Sequence, residues 1–473
     1  MKIYLPIIIG LFLIVQNANS QKLLDLKECI KIGQQNSIAI KQALLSEKDA
    51  QIGVKYSKSS QLPNLEGNSN LSYNIGRRVN PTTNTYISES FLSQSYSLSS
   101  GMLLFNGRKL RNSISKALTD KKMSEENTNQ IERDIALLVT NYYLLILYAE
   151  ENLINSENQY NSTKEQLERT LKLVNAGSKP QSASLNLEAQ LLSDEQKKIS
   201  RQNELDKAYL DLKNLLQINE NDNIKIQHPD INSLFTSKNT VYSLTELIQK
   251  SLQHQPEMKV AEYRIQSAEI AKTISKASLF PTLSLYGGLS TDYVNKAQEI
   301  TGYNKTYSYT DFMINNQVIN VGVPIEIPIT KNKSYYDQLK NNFGFGAALQ
   351  LRVPIYDNYS TGYNIQKAKL NIESAKLQKE QTVQDIKAKI QTALADYKAA
   401  KAQFDAADKS LTAQKNAFDA TKIQYEIGAA GIYDFLNAKN LYEQTQNTLL
   451  LTKYDLVFKT KILDFYLGEN LDF

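Results

Sequence analysis

Between Arg108 and Ala176, and again between Tyr363 and Ile427, neither proline nor glycine interrupts the chain. Within the second run Val383, Ile390, Tyr397, Phe404, Leu411, Phe418 and Tyr425 recur every seven residues. The residues 251 positions earlier, Glu132, Val139, Ile146, Leu153, Tyr160, Leu167 and Val174, repeat the pattern. A sustained heptad predicts helices that supercoil left-handedly on their neighbours. Ala393, Ala400 and Ala407 add a seam of small residues that lets helices approach closely. At 1.5 Å per residue such helices run ~100 Å, too long for an ordinary globular core.

The repetition extends over most of the chain. Leu26, Glu28, Ala50, Ile52 and Pro63 match Leu244, Glu246, Ala268, Ile270 and Pro281 at an offset of 218. Further on Leu104, Lys116, Ala117, Ile135, Gly177 and Leu185 match Ile355, Lys367, Ala368, Ile386, Gly428 and Leu436 at 251. The second copy therefore carries 251 − 218 = 33 extra residues. They fall between Tyr293 and Phe343, as a surface-loop insert over about 294–342, where insertions are tolerated. The expected division is a leader at 1–20, a first repeat at 21–241 and a second at 242–473.

After Pro63 and Pro281 the period changes from helical to two. Leu65, Leu71, Tyr73 and Ile75 alternate with Glu66, Asn68, Asn70, Ser72 and Asn74, and the stretch Phe343 to Ile355 alternates against Gly344, Gly346, Ala348, Gln350 and Arg352. Four strands are predicted, at about 64–76, 92–105, 282–293 and 343–356. One apolar face against one small or polar face suits a transmembrane β-barrel, although a soluble sheet with one wet face alternates in the same way. Four strands cannot close a membrane barrel, so the barrel reading requires two, three or four copies of the chain. Gly344 and Gly346 superficially begin a phosphate-binding glycine motif, but Leu349 stands at its third glycine position and strand alternation explains them better.

The charge balance of 54 basic against 49 acidic residues is spread without basic clusters, which excludes the concentrated footprint of a nucleic-acid binder. Lys2, the apolar run Ile3 to Val15 and the small-x-small Ala18-Asn19-Ser20 before Gln21 read as a secretory signal. No later stretch is long and apolar enough for a spanning helix. The single cysteine, Cys29, cannot form an internal disulfide and reads as a buried structural thiol. His228 and His254 have no Cys or carboxylate at metal-ligand spacing, and no catalytic constellation, cofactor motif or metal motif appears.

Each long helix runs into a turn. The first is Val174-Asn-Ala-Gly177-Ser-Lys-Pro180 and the second Tyr425-Glu-Ile-Gly428-Ala-Ala-Gly431-Ile-Tyr-Asp434-Phe-Leu436-Asn-Ala438. Gly428 and Gly431 are expected to supply the backbone freedom that ends the helix, and Pro180 to open the returning one.

The plan helix–Pro–strand–strand–long helix–Gly turn–helix, given twice over residues 22 to 468, together with Tyr425-x-x-Gly428-x-x-Gly431-x-x-Asp434-x-Leu436-x-Ala438, resembles the TolC family of outer-membrane channel-tunnel proteins. The resemblance implies an α+β membrane protein, with a long α-helical coiled-coil barrel and four transmembrane β-strands per chain completing a 12-stranded barrel in a homotrimer. It implies a passive exit duct in the outer-membrane lipid, for efflux or type I secretion, working with a periplasmic adaptor and an inner-membrane pump. The Gly177, Gly428 and Gly431 turns would dock the adaptor. Tyr425, Asp434 and Asn437 would lie at the periplasmic gate, with Asp434 in a three-fold carboxylate ring. The chain departs from the family's closing lock, because Ala430 and Ala183 stand at its arginine and acid positions, and Asn437 replaces a second acid. From the residues alone, Asp434 equally suits the first turn of a helix, and Tyr425 equally completes the heptad core. The competing function is a periplasmic coiled-coil adaptor or scaffold without a membrane barrel.

Overall fold

The structure, a computed structural model, describes residues 22–79, 84–219, 222–229, 243–314, 317–469 and 471. The expected leader at 1–20 and much of the link between the repeats lie outside these residues. The described parts of 1–51, 119–266 and 373–473 form a helical unit, and 52–118 with 267–372 form a sheet unit. The compact units thus cut across the sequence repeats, each taking part of both.

In the helical unit, α1 (Leu26–Asn36) and α2 (Ile38–Ser59) precede the long α3 (Lys109–Asn175) and its return α4 (Gln181–Leu216). The second series is α5 (Leu244–His254), α6 (Pro256–Ala277), the long α8 (Ser360–Glu426) and its return α9 (Ile432–Leu467). Both long helices have 67 residues and both returns have 36, and all four ends repeat at the 251 offset. Each repeat centres on an equivalent packed trio: Cys29, Val139 and Leu212 in one, Leu247, Ile390 and Leu463 in the other, all buried. The small-residue seam of Ala393, Ala400 and Ala407 is buried as well.

The single helix expected before Pro63 breaks at Ser37, and its counterpart before Pro281 breaks 218 positions on at Gln255. Pro256 explains the second break, since it lacks an N–H and excludes helical backbone before it. The breaks turn side chains onto the carbonyl ends of the returning helices. Asn36 Nδ2 donates to the Leu216 carbonyl at 2.9 Å. Gln255 Nε2 donates to the Tyr466 carbonyl at 3.2 Å and Arg133 Nη2 to the Phe465 carbonyl at 2.5 Å. The Leu216 and Tyr466 carbonyls are among those that a helix end leaves without an intrahelical donor, whereas the Phe465 carbonyl also accepts from Gly468 N. The linker residue His228, read from sequence as surface or structural, is half-exposed and places Nε2 2.8 Å from Glu150 Oε2.

In the sheet unit, β2 (Asn64–Val79), β3 (Tyr86–Phe105), β5 (Thr282–Val294) and β8 (Gly344–Arg352) form one antiparallel sheet in that order. The labels β1 and β4 belong to the short parallel pair Lys22–Leu24 and Ile224–Ile226. Register aligns the alternating residues on one face. Leu98 lies opposite Leu289, which lies opposite Phe345; Met102 lies opposite Leu285, which lies opposite Leu349. The other face carries Asn68 against Ser97, and Ser97 against Ser290. The fourth strand stops at Arg352, short of the expected 356, because Pro354 has no N–H to give a ladder.

The stretch 294–342, which holds the 33 extra residues, differs from the expected loop. It contains a paired ribbon of β6 (Gln298–Ile314) and β7 (Gln317–Asn332), then α7 (Tyr335–Asn341). Tyr303 and Tyr307 lie opposite Pro328 and Pro324, and the Tyr309 ring covers Gly322 so closely that a Cβ there would come within 2.9 Å. The α7 residue Gln338 clips β5 beyond the point where β8 begins opposite Ser290: its Nε2 donates to the Val294 carbonyl at 3.0 Å and its Oε1 accepts from Val294 N at 2.9 Å. That amide supplies the pairing a further strand would have supplied.

The strand-to-helix turns are also duplicated, with positive φ at Gly107 and Arg108 and, 251 positions on, at Asn358 and Tyr359. At Gly107 a Cβ would stand 2.8 Å from the Ala277 carbonyl oxygen, whereas Asn358 is a residue type that tolerates this conformation. Gly107→Ala is expected to destabilise the protein by about 1–3 kcal/mol, from left-handed backbone plus overpacking. Asn358→Gly should stay within about 0.5 kcal/mol, because both residue types adopt left-handed backbone. Thermal unfolding of the two variants checks the contrast.

Candidate functional site

The two helix turns end in the same hydrogen-bond pattern. Gly177 N donates to the Val174 carbonyl and Ser178 N to the Leu173 carbonyl, at 2.9 and 2.8 Å. Gly428 N and Ala429 N do the same to the Tyr425 and Gln424 carbonyls, at 3.2 and 2.8 Å. This double bond needs a left-handed residue at its centre, and φ is +71° at Gly177 and +81° at Gly428. Nothing lies within 4 Å of a Cβ built at either glycine, so backbone conformation, not space, demands them.

Gly431 does not share that role, contrary to expectation. Its φ is −80°, ordinary extended backbone, and it caps the start of α9. Pro180 holds the equivalent cap of α4 at φ −73°. The difference between these two caps accounts for another. Gly431 has an N–H, which donates to Asp434 Oδ2 at 3.1 Å, whereas Pro180 has none and the residue matching Asp434 is the buried Ala183. Within the chain, Asp434 therefore acts as the acid of a helix's first turn. Asp434 and Asn437 are exposed and one turn apart, on a common face of α9.

Tyr425 is buried. Its ring stacks on Phe435 with centroids 4.9 Å apart, in a cluster with Leu187, and Phe418 continues the stack onto Tyr442 at 5.4 Å. Its hydroxyl has no hydrogen-bond partner among the described residues. Lys179 Nζ sits 3.5 Å from the centre of the Tyr425 ring, close enough for a cation–π contact between the two turns. Lys179 is the offset partner of Ala430, which itself packs against the Tyr425 cluster. A cation thus stands on the first turn where the second has an alanine.

Further along α9 lies a buried charge cluster that sequence reasoning missed. Lys439 Nζ is 3.1 Å from Asp194 Oδ2 of α4 and 3.1 Å from Glu443 Oε1. Thr163 of α3 donates to Asp194 Oδ2 at 2.5 Å and also meets Lys439 Nζ, while Gln190 Nε2 donates to Asp194 Oδ1 at 2.8 Å. Lys439 and Glu443, four apart on a helix, look like a surface pair in sequence. The available signal was their place on the row that starts at buried Phe435. Burial pushes the Asp194 carboxyl up, but Thr163, Lys439 and Gln190 together hold it below the usual carboxylate range. Burial also pushes Glu443 up, and with the Asp194 charge it outweighs the pull of Lys439 and Lys197. Among the described residues no group of three or more His, Cys, Asp and Glu is arranged to hold a metal ion.

Gly177→Ala and Gly428→Ala should each cost about 1–2 kcal/mol, the penalty for a left-handed non-glycine residue, and Gly431→Ala well under 1 kcal/mol. Asp194→Asn strands a buried cation and should cost about 3–5 kcal/mol. The depressed Asp194 stabilises the fold above its unfolded pKa, and acid removes that contribution only as pH falls through the lowered value. The raised Glu443 works the other way: its charge is a cost near neutral pH that acid relieves, so Glu443→Gln should be neutral or stabilising at pH 7. Melting of the helical signal against pH separates the two carboxylates.

A family model described as outer membrane efflux protein matches residues 30–216 and again 247–469. No curated protein is matched by sequence. Among solved structures, the chain is similar to that of CusC, with a TM-score of 0.74 at 18% identity over 95% of this chain and 94% of the other. It is similar to the outer membrane protein VceC of Vibrio cholerae, at 0.71 and 14% over 94% and 97%. It is also similar to the Campylobacter jejuni CmeC outer membrane channel, at 0.70 and 17% over 94% and 85%. These structural likenesses speak for the fold, and the doubly matched family model for descent: the chain belongs to the outer membrane efflux protein family.

Proposed function

We propose that this chain is one third of an outer-membrane exit duct, through which an inner-membrane pump and a periplasmic adaptor discharge small molecules or polypeptides. One observation carries the reading: a four-stranded antiparallel sheet with an apolar face and two open edges, β2 and β8. Three successive antiparallel pairings leave β2 and β8 running in opposite directions. The β8 edge of one copy can therefore pair antiparallel with the β2 edge of the next, and a ring of copies closes with no edge left over. The number we propose is three, as the family resemblance implies, giving twelve strands. No helix among the described residues is long and apolar enough to cross a membrane, so the sheet is the element available to do it.

Transport is passive in this reading, and a type I secretion system and a tripartite efflux pump are both accommodated. The Gly177 and Gly428 turns, with Gly431 at the cap, are the adaptor-docking elements, and Asp434 and Asn437 face the entrance. Tyr425 acts at the gate through packing, held under Lys179. The competing scaffold reading gives no role to the exposed apolar face formed by Leu98, Leu285, Leu289 and Leu349.

The purified protein is expected in the outer-membrane fraction, to run as a trimer on native gels of a detergent extract, and to conduct ions in planar bilayers. A soluble monomer would end the channel reading. Leu349→Arg on the apolar face should cost about 2–4 kcal/mol at mid-membrane and deplete the outer-membrane fraction, whereas Gln350→Arg on the polar face should not. Asp434→Ala should weaken block by multivalent cations, as expected when three like charges converge. Unchanged block would leave Asp434 with its helix-capping role alone.

A further inference from the structure

Basic and acidic residues nearly balance along the chain, but the fold gathers cations at one end of the sheet. Four segments lead between helix and strand there, 58–63, 106–111, 272–281 and 354–362, all within the sheet unit. They form one rim. A Cβ at Gly107 would come within 2.8 Å of both the Ala277 carbonyl oxygen and Phe280 Cβ. Ser278 and Leu279 line one cavity with Pro354, Tyr356 and Tyr359, and Asn64 Oδ1 ties the start of β2 to β3 by accepting from Gly101 N at 2.7 Å.

The four segments hold Lys58, Arg108, Lys109, Arg111, Lys272 and Lys276 but a single acid, Asp357. Asp357 is already engaged, since its Oδ2 accepts from Thr361 N at 2.8 Å. None of the six cations forms an ion pair among the described residues, and all but Lys272 are exposed. Phe105, Phe280, Tyr356 and Tyr359 are exposed on the same rim, and Phe105 lies opposite Leu283 at the end of the apolar face. Tyr96, Tyr293 and Tyr335 cluster at the other end of the sheet. Aromatic girdles at both ends of an apolar face mark two membrane–water interfaces, so the cations stand at headgroup level on the helix side.

Lys58 and Lys276 have a local reason to be there, because each sits in the last turn of its helix, where the dipole favours a cation. Arg108, Lys109 and Arg111 are placed the opposite way, at the start of α3, where the dipole disfavours them. The second repeat shows the same turn without them. At the 251 offset Asn106, Arg108, Lys109 and Arg111 become Asp357, Tyr359, Ser360 and Gly362. Both turns keep the same pair of left-handed residues, so the backbone does not require the difference. Three cations held together against a helix dipole, with no acid of the chain to answer them, complement an anionic surface outside it.

We propose that this rim, through Arg108, Lys109 and Arg111 above all, binds the headgroup phosphates of net-anionic phospholipids in the leaflet on the helix side of the sheet. This rests on the exit-duct reading, which puts the sheet in the membrane. Phe105 and Phe280 then meet the acyl boundary and the cations the headgroups, which holds the sheet at one depth. The apolar face does not discriminate between lipids that share acyl chains, so the preference for charge comes from the rim.

The trimer is reconstituted in phosphatidylcholine bilayers, and the relative affinities of spin-labelled phosphatidylglycerol and phosphatidylcholine are read from the motionally restricted lipid signal. Wild type is expected to favour phosphatidylglycerol several-fold at low salt and to lose most of that preference in molar salt, where the screening length falls to ~3 Å. R108Q/K109Q/R111Q should abolish the preference and R108K/R111K should keep it. K296Q/K305Q/K331Q, which removes as many cations from the insert, should leave it unchanged. Equal binding of the two lipids by wild type, or a preference that survives R108Q/K109Q/R111Q in a trimer intact on native gels, would overturn the rim site. A wild-type preference indifferent to salt would overturn it without recourse to any variant, and an equal loss in K296Q/K305Q/K331Q would reduce it to an effect of net charge. Each of these leaves the duct standing, whereas wild-type protein that neither inserts nor conducts would overturn the duct reading itself.

Discussion

The outer edges of β2 and β8 carry backbone N–H and C=O groups that no other strand among the described residues pairs, and the rest of the structure follows from that condition. In hydrocarbon each such group costs several kcal/mol, about 4–8 on a water-to-cyclohexane scale, so a sheet with an apolar face tolerates no open edge. The chain closes what it can. Gln338 takes the place of a strand beside Val294, beyond the point where β8 begins opposite Ser290, so that β5 does not offer a second competing edge. What is left open is one rising and one falling strand, the two edges that the proposed ring of copies would join.

Duplication supplies the elements in equal lengths, and divergence then adjusts single positions in linked sets. The helix caps illustrate this. Gly431 brings an N–H and Asp434 accepts it, while Pro180 removes the N–H and Ala183 fills the space where an acid would have no donor. The turns differ in a second way: Ala430 packs against the Tyr425 cluster, whereas Lys179, its offset partner, places a charge over the Tyr425 ring. Asp194 and Lys439 form a third set, built across the repeats from positions whose offset partners cannot pair.

Much of the fold was legible because period and backbone chemistry are local. Heptads, the change to alternation after Pro63 and Pro281, and the glycines at 177 and 428 each act within a few residues of themselves. Misreadings occurred where two residue types satisfy the same local rule. Gly431 looks like Gly428 until its φ is known, since glycine serves equally as a left-handed stop and as an extended cap. The insert looked like a loop because Thr, Ser and Asn oppose the Val and Ile column of β7 from the other strand, so only cross-strand register reveals the ribbon. The α1–α2 break at Ser37 has no proline to announce it, unlike its partner before Pro256.

By itself the sequence determined the repeated plan, the length of the long helices, which face of each strand is apolar and where the helices turn. These depend on interactions within one turn or between alternate residues. Only the tertiary structure decided that Tyr425 lies under Lys179, that Asp434 caps its own helix, and that Lys439 and Asp194 share a buried site. A Lys–Glu spacing of four reads as a solvated helix face, and burial is a property of what another helix brings to it. Charge states and gate contacts depend on such long-range neighbours, which no periodicity encodes.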